Sequence, residues 1–357
     1  MLSVAVLDDY QGFAEGPFSK LDPSKFTVSY FPHTLKPFNH ANTEDAERAE
    51  LVARLEPFDI ICTMRERTPF PRDLVQALPR LKLLLTTSRR NLSFDMAALA
   101  ARQIRVAGTS AMPVVSGGSD STTQHTVSLI LALARALPAS QRAWATGAWQ
   151  TRQTVAVNLS GKTLGVVGLG RLGGTVARSM VAAFGMRVVA WSPGLTQERA
   201  DAAARDLGLP VEMEGCKTFR CVSREEVFAA DVVTLHLVLS ERTRGLIGPE
   251  DLGRMKPSAI LVNTSRGPLV QEKALLDVLQ AGKIRGAALD VWEPEPVEAD
   301  SVWRTTKWGQ DGRSEVLATP HMGYVEEELM QQWYREQAAN IEKWERGEKM
   351  TMEFRVD

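Results

Sequence analysis

Thr163-Leu164-Gly165-Val166-Val167-Gly168-Leu169-Gly170-Arg171-Leu172-Gly173 is the stretch that decides the fold. A short apolar run passes straight into glycines at 168, 170 and 173. A helical pattern follows, with Ala177, Met180, Val181 and Phe184 on one face. The first glycine permits a tight turn, the second lets backbone approach a pyrophosphate, and the third lets helix and strand pack closely. The helix start then offers free N–H groups and a partial positive charge to the phosphates. Three spaced glycines alone are equally a structural turn; their place between a strand and a helix is what points to a dinucleotide.

Short apolar runs alternate with helical patterns on both sides of this loop. Expected strands are Ser3 to Leu7, Phe58 to Thr63, Lys82 to Thr86, Ile104 to Val106, Thr163 to Val167 and Arg187 to Trp191. Val232 to His236, Ala259 to Asn263, Gly286 to Leu289 and Val316 to Ala318 continue the series. Apolar spacing of three to four predicts helices over Thr43 to Leu55, Asp95 to Arg102, Ser121 to Leu137, Gly174 to Phe184, Leu269 to Ala281 and Val325 to Glu345. Strands separated by helices, with few hairpin signals, mean β-α-β units on parallel sheets, an α/β fold. Glu212 to Arg224 and Thr305 to Arg313 read as polar surface insertions. Ala111 to Asp120, with Gly117-Gly118, reads as a hinge ahead of a crossing helix.

A chain of 357 residues suits two domains rather than one core. The expected division is a first domain over 1–118, a dinucleotide-binding domain over 119–324, and a last helix over 325–357 returning to the first. Lys plus Arg is 42 and Asp plus Glu is 43, a net charge of -1. Such a balance argues against nucleic acid or an acidic membrane as the main partner, while leaving room for a local basic pocket. The apolar runs are far below a membrane span. The start, Met1-Leu2-Ser3-Val4-Ala5-Val6-Leu7, reads as a first strand and not a signal peptide, and the end carries no retention address. Cys62, Cys216 and Cys221 form neither a disulfide framework nor a metal site, so a reducing cytoplasm is expected and no metal.

The strand Arg187 to Trp191 runs into Ser192-Pro193, where an acidic residue would hold the adenosine ribose hydroxyls. Ser192 still bonds a hydroxyl but does not repel a 2′-phosphate. Arg199 either holds that phosphate or lies on the solvated face of the next helix. The reading leans toward NADP while keeping NAD open.

Three polar residues follow expected strands, where open α/β sheets place ligands. Arg266 follows Ala259 to Asn263, Glu295 follows Leu289-Asp290, and His321 follows Val316 to Ala318. Each alone is more often a turn or surface residue. Together they suit hydride transfer at a 2-oxo acid: a guanidinium fork for the carboxylate and oxo group, and an imidazole with a carboxylate partner for the proton. His236, closing the strand Val232 to Leu235, reads as a cleft-lining or packing residue rather than the acid.

With these motifs in order, the chain resembles the D-isomer-specific 2-hydroxyacid dehydrogenases. The resemblance rests on Gly168 to Gly173, Asp231 to His236, Asn263 to Gly267, Ala288 to Pro296 and Thr319 to Gly323. It implies two Rossmann-like domains, the first flavodoxin-like and discontinuous, the second binding NAD or NADP in a cleft between them. Arg266 would bind substrate, His321 would exchange the proton, and Glu295 would hydrogen-bond His321. Cofactor contacts would come from Gly168, Gly170, Arg171, Leu172, Gly173, Ser192, Arg199, His236, Thr243, Thr264, Asp290 and Gly323. Ser88 and Arg89, in the loop Thr87 to Asn91, would hold substrate with Arg266 and His321. The implied partner is a small 2-oxo or 2-hydroxy acid, and the implied assembly a homodimer joined through the cofactor domains.

Departures from the family pattern are Ser192, the neutral Thr123-Gln124-His125 where an acid is common, and Gly323-Tyr324 in place of paired glycines. Arg65-Glu66-Arg67-Thr68-Pro69 is expected to form one wall of the substrate pocket. Trp303, Trp308 and Trp333 either join that pocket or pack. The resemblance also admits a redox-sensing, corepressor-like nucleotide-binding protein, or a dehydrogenase of another donor such as phosphite.

Overall fold

Every strand pair in the two large sheets is parallel, as expected where a helix fills each crossover. The computed structural model describes residues 1–112, 114–115 and 118–354. Gly117, part of the expected hinge, lies outside the described residues. The chain divides into two units: Met1–Pro113 with Pro294–Pro296 and Val325–Asp357, and Val114–Glu293 with Val297–Tyr324. The segment Pro294–Pro296, expected within 119–324, thus groups with the first unit.

The first unit holds β1 (Leu2–Leu7), β2 (Phe26–Phe31), β3 (Ile60–Thr63), β4 (Leu83–Thr86) and β5 (Arg105–Ala107), in the order β2-β1-β3-β4-β5. This is the flavodoxin-like order. Strands β3 and β4 are buried at every position, which is why their sequences read as unbroken apolar runs instead of alternating. The helix Glu327–Glu345 packs in this unit. Its Tyr334 meets Phe18 edge to face at 6.4 Å, and Asn340 Nδ2 donates to Gly108 O at 3.2 Å.

In the second unit, β6 (Thr163–Val167), β7 (Arg187–Trp191), β8 (Glu212–Met213), β9 (Cys216–Lys217), β10 (Phe219–Cys221), β11 (Val232–Leu235), β12 (Ile260–Asn263), β13 (Gly286–Leu289) and β14 (Glu315–Ala318) follow in sequence. Seven of them form one sheet, β10-β7-β6-β11-β12-β13-β14, while β8 and β9 make a small antiparallel pair. The order reverses between β6 and β11, the switch point where such sheets bind ligands. The expectation of a surface insertion at 212–224 is corrected here. Its last part is β10, paired with β7 in register Phe219↔Val188, and Phe219 is fully buried.

The Thr305 to Arg313 segment is likewise not wholly superficial, because Trp308 is buried in the same core as Trp303. Both tryptophans pack: Trp308 Nε1 donates to Trp303 O at 3.1 Å. Trp333, in the first unit, donates Nε1 to Ser110 O at 3.1 Å. The expected helix from Ser121 ends at Ala134, and Ala136 (φ 52°) turns the chain into a second helix, Leu137–Ala145. No described helix is long and apolar enough to cross a membrane.

Candidate active site

The turn after β6 meets the steric demands of a phosphate loop. Gly168 has φ +104°, and a Cβ there would lie 2.8 Å from the His236 carbonyl carbon. A Cβ at Gly173 would come within 2.2 Å of Gly168 O. At Gly170, by contrast, a Cβ would meet nothing within 4 Å, and this residue caps the helix Arg171–Phe184 with no side chain. The helix start is therefore uncapped and unfilled, which fits a dinucleotide pyrophosphate. Leu172 is half-buried and Arg171 exposed. The Arg171 guanidinium pairs with Asp120, which also accepts the backbone N–H of Thr123 at 2.9 Å and so starts the helix Ser121–Ala134.

Ser192 follows β7 and is half-buried. Arg199 lies in the first turn of the helix Gln197–Asp206, and its Nη1 turns back to donate to Gly194 O at 2.8 Å. The guanidinium thus rests on the loop that Ser192 begins. His236 follows β11, its N–H donating to Val167 O at 2.8 Å, so it stands at the switch point. Burial pushes its imidazole down to about 4, with Asp120 pulling weakly the other way, and Nε2 lies 2.9 Å from Thr234 Oγ1. Thr243 Oγ1 closes the following turn by donating to Val238 O at 2.7 Å. Thr264 is buried, with Oγ1 2.8 Å from Thr126 Oγ1.

Adjacent strands β12, β13 and β14 end level, Asn263 beside Leu289 and Leu289 beside Ala318. Arg266, Asp290 and His321 issue from these three ends. Asn263 braces the first loop: Nδ2 donates to Arg266 O at 3.0 Å, and Oδ1 accepts Ser265 N–H at 3.1 Å. Arg266 Nη1 donates to Ser265 O at 2.8 Å. His321 holds φ +57°, a left-handed value costly for a residue with a Cβ, and its ring meets Tyr324 edge to face at 5.5 Å.

Asp290, fully buried, anchors that strained loop. It accepts Thr319 Oγ1 at 2.5 Å, Met322 N–H at 2.6 Å and Gly323 N–H at 2.9 Å. His125 Nε2 stands 3.2 Å from Asp290 Oδ1 and from Thr319 Oγ1. Burial pushes the Asp290 carboxyl up, but hydrogen bonds from His125, Thr319 and Met322 outweigh it and hold the pKa below the ordinary carboxylate value. Trp292 Nε1 donates to Thr319 O at 2.9 Å, a further brace.

In the first unit, Ser88 is buried with Oγ 3.2 Å from Thr86 Oγ1, and Arg89 is exposed. Asn91 Nδ2 donates to Arg65 O at 2.7 Å, tying the loops after β3 and β4 together. Glu295 pairs with Arg67 at 3.5 Å, and Arg67 lies over the Tyr10 ring at 5.7 Å.

Sequence reasoning missed two partners. His125 was noticed only as a departure from an acidic position, and nothing in its surroundings signals Asp290. Arg67 fell within the expected pocket wall, but its pairing with Glu295 joins segments far apart in the chain.

A phosphate loop at the switch point of a parallel sheet defines a dinucleotide-binding α/β protein. Residues 127–323 match the family model described as D-isomer specific 2-hydroxyacid dehydrogenase, NAD binding domain. The chain belongs to the D-isomer specific 2-hydroxyacid dehydrogenase family. It is 33% identical over 301 residues to a D-3-phosphoglycerate dehydrogenase of Methanocaldococcus jannaschii, covering 84% of this chain and 52% of that one. A Haemophilus influenzae protein provisionally named a 2-hydroxyacid dehydrogenase is 32% identical, covering 88% of this chain and 91% of its own. A solved phosphoglycerate oxidoreductase from Vibrio cholerae superposes with a TM-score of 0.77 at 31% identity, covering 97% of this chain and all of that one. The chain spans about half the length of the D-3-phosphoglycerate dehydrogenases it matches.

Proposed function

We propose that the protein is an NAD(P)-dependent oxidoreductase that interconverts a 2-oxo acid and a D-2-hydroxy acid. The observation that supports this reading is the level ending of β12, β13 and β14, from which the segments bearing Arg266, Asp290 and His321 continue. A nicotinamide dinucleotide held at the Gly168–Gly173 loop would supply the hydride for C2 of the oxo acid. Arg266 binds the substrate carboxylate and polarises the oxo group through its fork of N–H donors. His321 gives its imidazole proton to the new hydroxyl oxygen, and Glu295 supplies the carboxylate such a histidine works with. Ser88 and the backbone of the loop it shares with Arg89 hold the substrate carboxylate. Asp290 works through the His321 loop, whose strained backbone it holds.

The 2′-phosphate of NADP(H) is accepted, because Ser192, which follows β7, brings no carboxylate and Arg199 rests on the same loop. A homodimer forms through the second unit. Leu137, Trp144, Trp149 and Val155 there are more than half exposed, and the Trp144 and Trp149 rings lie 6.1 Å apart, exposed apolar surface of the kind interfaces cover. The test of the activity is NADPH and NADH oxidation against glyoxylate, hydroxypyruvate, pyruvate, phenylpyruvate and branched 2-oxo acids. Turnover of at least one is expected. Cofactor binding with no turnover across the panel would leave a nucleotide-sensing protein instead.

A further inference from the structure

The second unit also contains a cavity of about 260 Å³ behind the loop that carries Arg266. Its walls include the indoles of Trp292 and Trp303, 5.5 Å apart and edge to face, together with Leu275. Its charged groups are Glu272, Glu293 and Arg244. Glu272 accepts Trp303 Nε1–H at 2.6 Å, and Arg244 pairs with Glu293 at 2.7 Å on the exposed rim. An engineered apolar cavity of about 150 Å³ takes benzene, so this one has room for a ring with a short arm. Two carboxylates against one guanidinium leave the lining negative, and indole faces attract cations. An aromatic carboxylate is repelled there; an aromatic ammonium is favoured. That preference is opposite to the one Arg266 imposes.

The same walls support both candidate catalytic loops. Gly267, next to Arg266, approaches Trp292 so closely that a Cβ would lie 2.6 Å from the Trp292 carbonyl carbon. Asn263, also in the lining, donates to Arg266 O. Trp292 donates to Thr319 O, two residues before His321. A ligand filling the cavity therefore bears on the seats of both residues.

We propose that this cavity is an effector site for a small aromatic amine, and that its occupation alters turnover. The second part rests on the activity proposed above; the binding does not. Phenethylamine is the probe, read by tryptophan fluorescence of the full chain without substrate and then by oxo-acid turnover. Saturable quenching is expected, with phenylacetate weaker by about tenfold or more, and a change in turnover that added oxo acid does not reverse. Leu275→Trp, which fills the cavity, and Glu272→Gln, which removes a carboxylate, are each expected to weaken the response by about tenfold. No saturable quenching, equal affinity for phenylacetate, or an unchanged response in both variants overturns the site. Quenching with unaltered turnover overturns the coupling. Quenching in a protein that turns over no oxo acid tells against the activity and supports the site.

Discussion

The Asp290 carboxylate accepts the backbone N–H of Gly323 at 2.9 Å, two residues beyond His321, whose φ is +57°. A left-handed backbone costs roughly 1–2 kcal/mol for a residue with a Cβ, so this anchor and its companion from Met322 keep the histidine where the sheet ends. Asp290→Asn puts a donor where an acceptor is needed, at a cost of about 1–3 kcal/mol. Urea unfolding is expected to show that loss at pH 7, with turnover falling more than cofactor affinity. Because the folded pKa of Asp290 is depressed, its stabilisation is full above the unfolded value near 4 and disappears as pH falls through the folded value. The stability gap between wild type and Asp290→Asn therefore narrows in acid.

His236 gives a pH dependence in a different window. Its folded pKa, about 4, lies below the ordinary value of 6.5, so the unfolded chain takes up a proton first. Stability is greatest above 6.5 and declines as pH falls toward 4, by up to about 3 kcal/mol. In His236→Gln, denaturation between pH 7 and 4.5 is expected to show a smaller decline than in wild type. An equal decline in both would contradict a neutral imidazole at this position.

The proposed acceptance of NADP(H) rests on Ser192 and Arg199. Ser192→Asp restores a carboxylate at the end of β7 and is expected to shift the NADH-to-NADPH ratio of kcat/KM upward by about tenfold or more. Arg199→Ala is expected to weaken NADPH selectively. A strong NADH preference in the unaltered protein would remove the basis for both.

Arg67 and Glu295 are both largely shielded, with side chains 11% and 21% exposed. Arg67→Met leaves the carboxylate without this cation and is expected to lower kcat/KM for the oxo acid by about tenfold. Cofactor affinity, measured by titration, is expected to stay unchanged, with Arg67→Lys recovering part of the loss.

Thr163–Val167 and Arg187–Trp191 were legible in the sequence to the residue, because buried parallel strands are continuous apolar runs. Phe26–Phe31 was missed because it is an edge strand with only Phe26 buried. Phe219–Cys221 was missed for a related reason: it is three residues long, again at an edge, and its neighbours are polar. The order of Arg266, Asp290, Glu295 and His321 along the chain was legible, since each follows a strand or a strand end. What held them was not. The His125–Asp290 and Arg67–Glu295 pairs are made by folding, between segments that carry no mark of one another, and the left-handed His321 has no signature in Thr319-Pro320-His321.

The most direct test of the account is His321→Gln, assayed for NADPH and NADH oxidation with the best oxo acid and for cofactor binding by titration. Loss of the proposed proton donor is expected to lower turnover by about 10²–10⁴-fold while cofactor affinity stays within about twofold of wild type. Undiminished turnover in His321→Gln would contradict it.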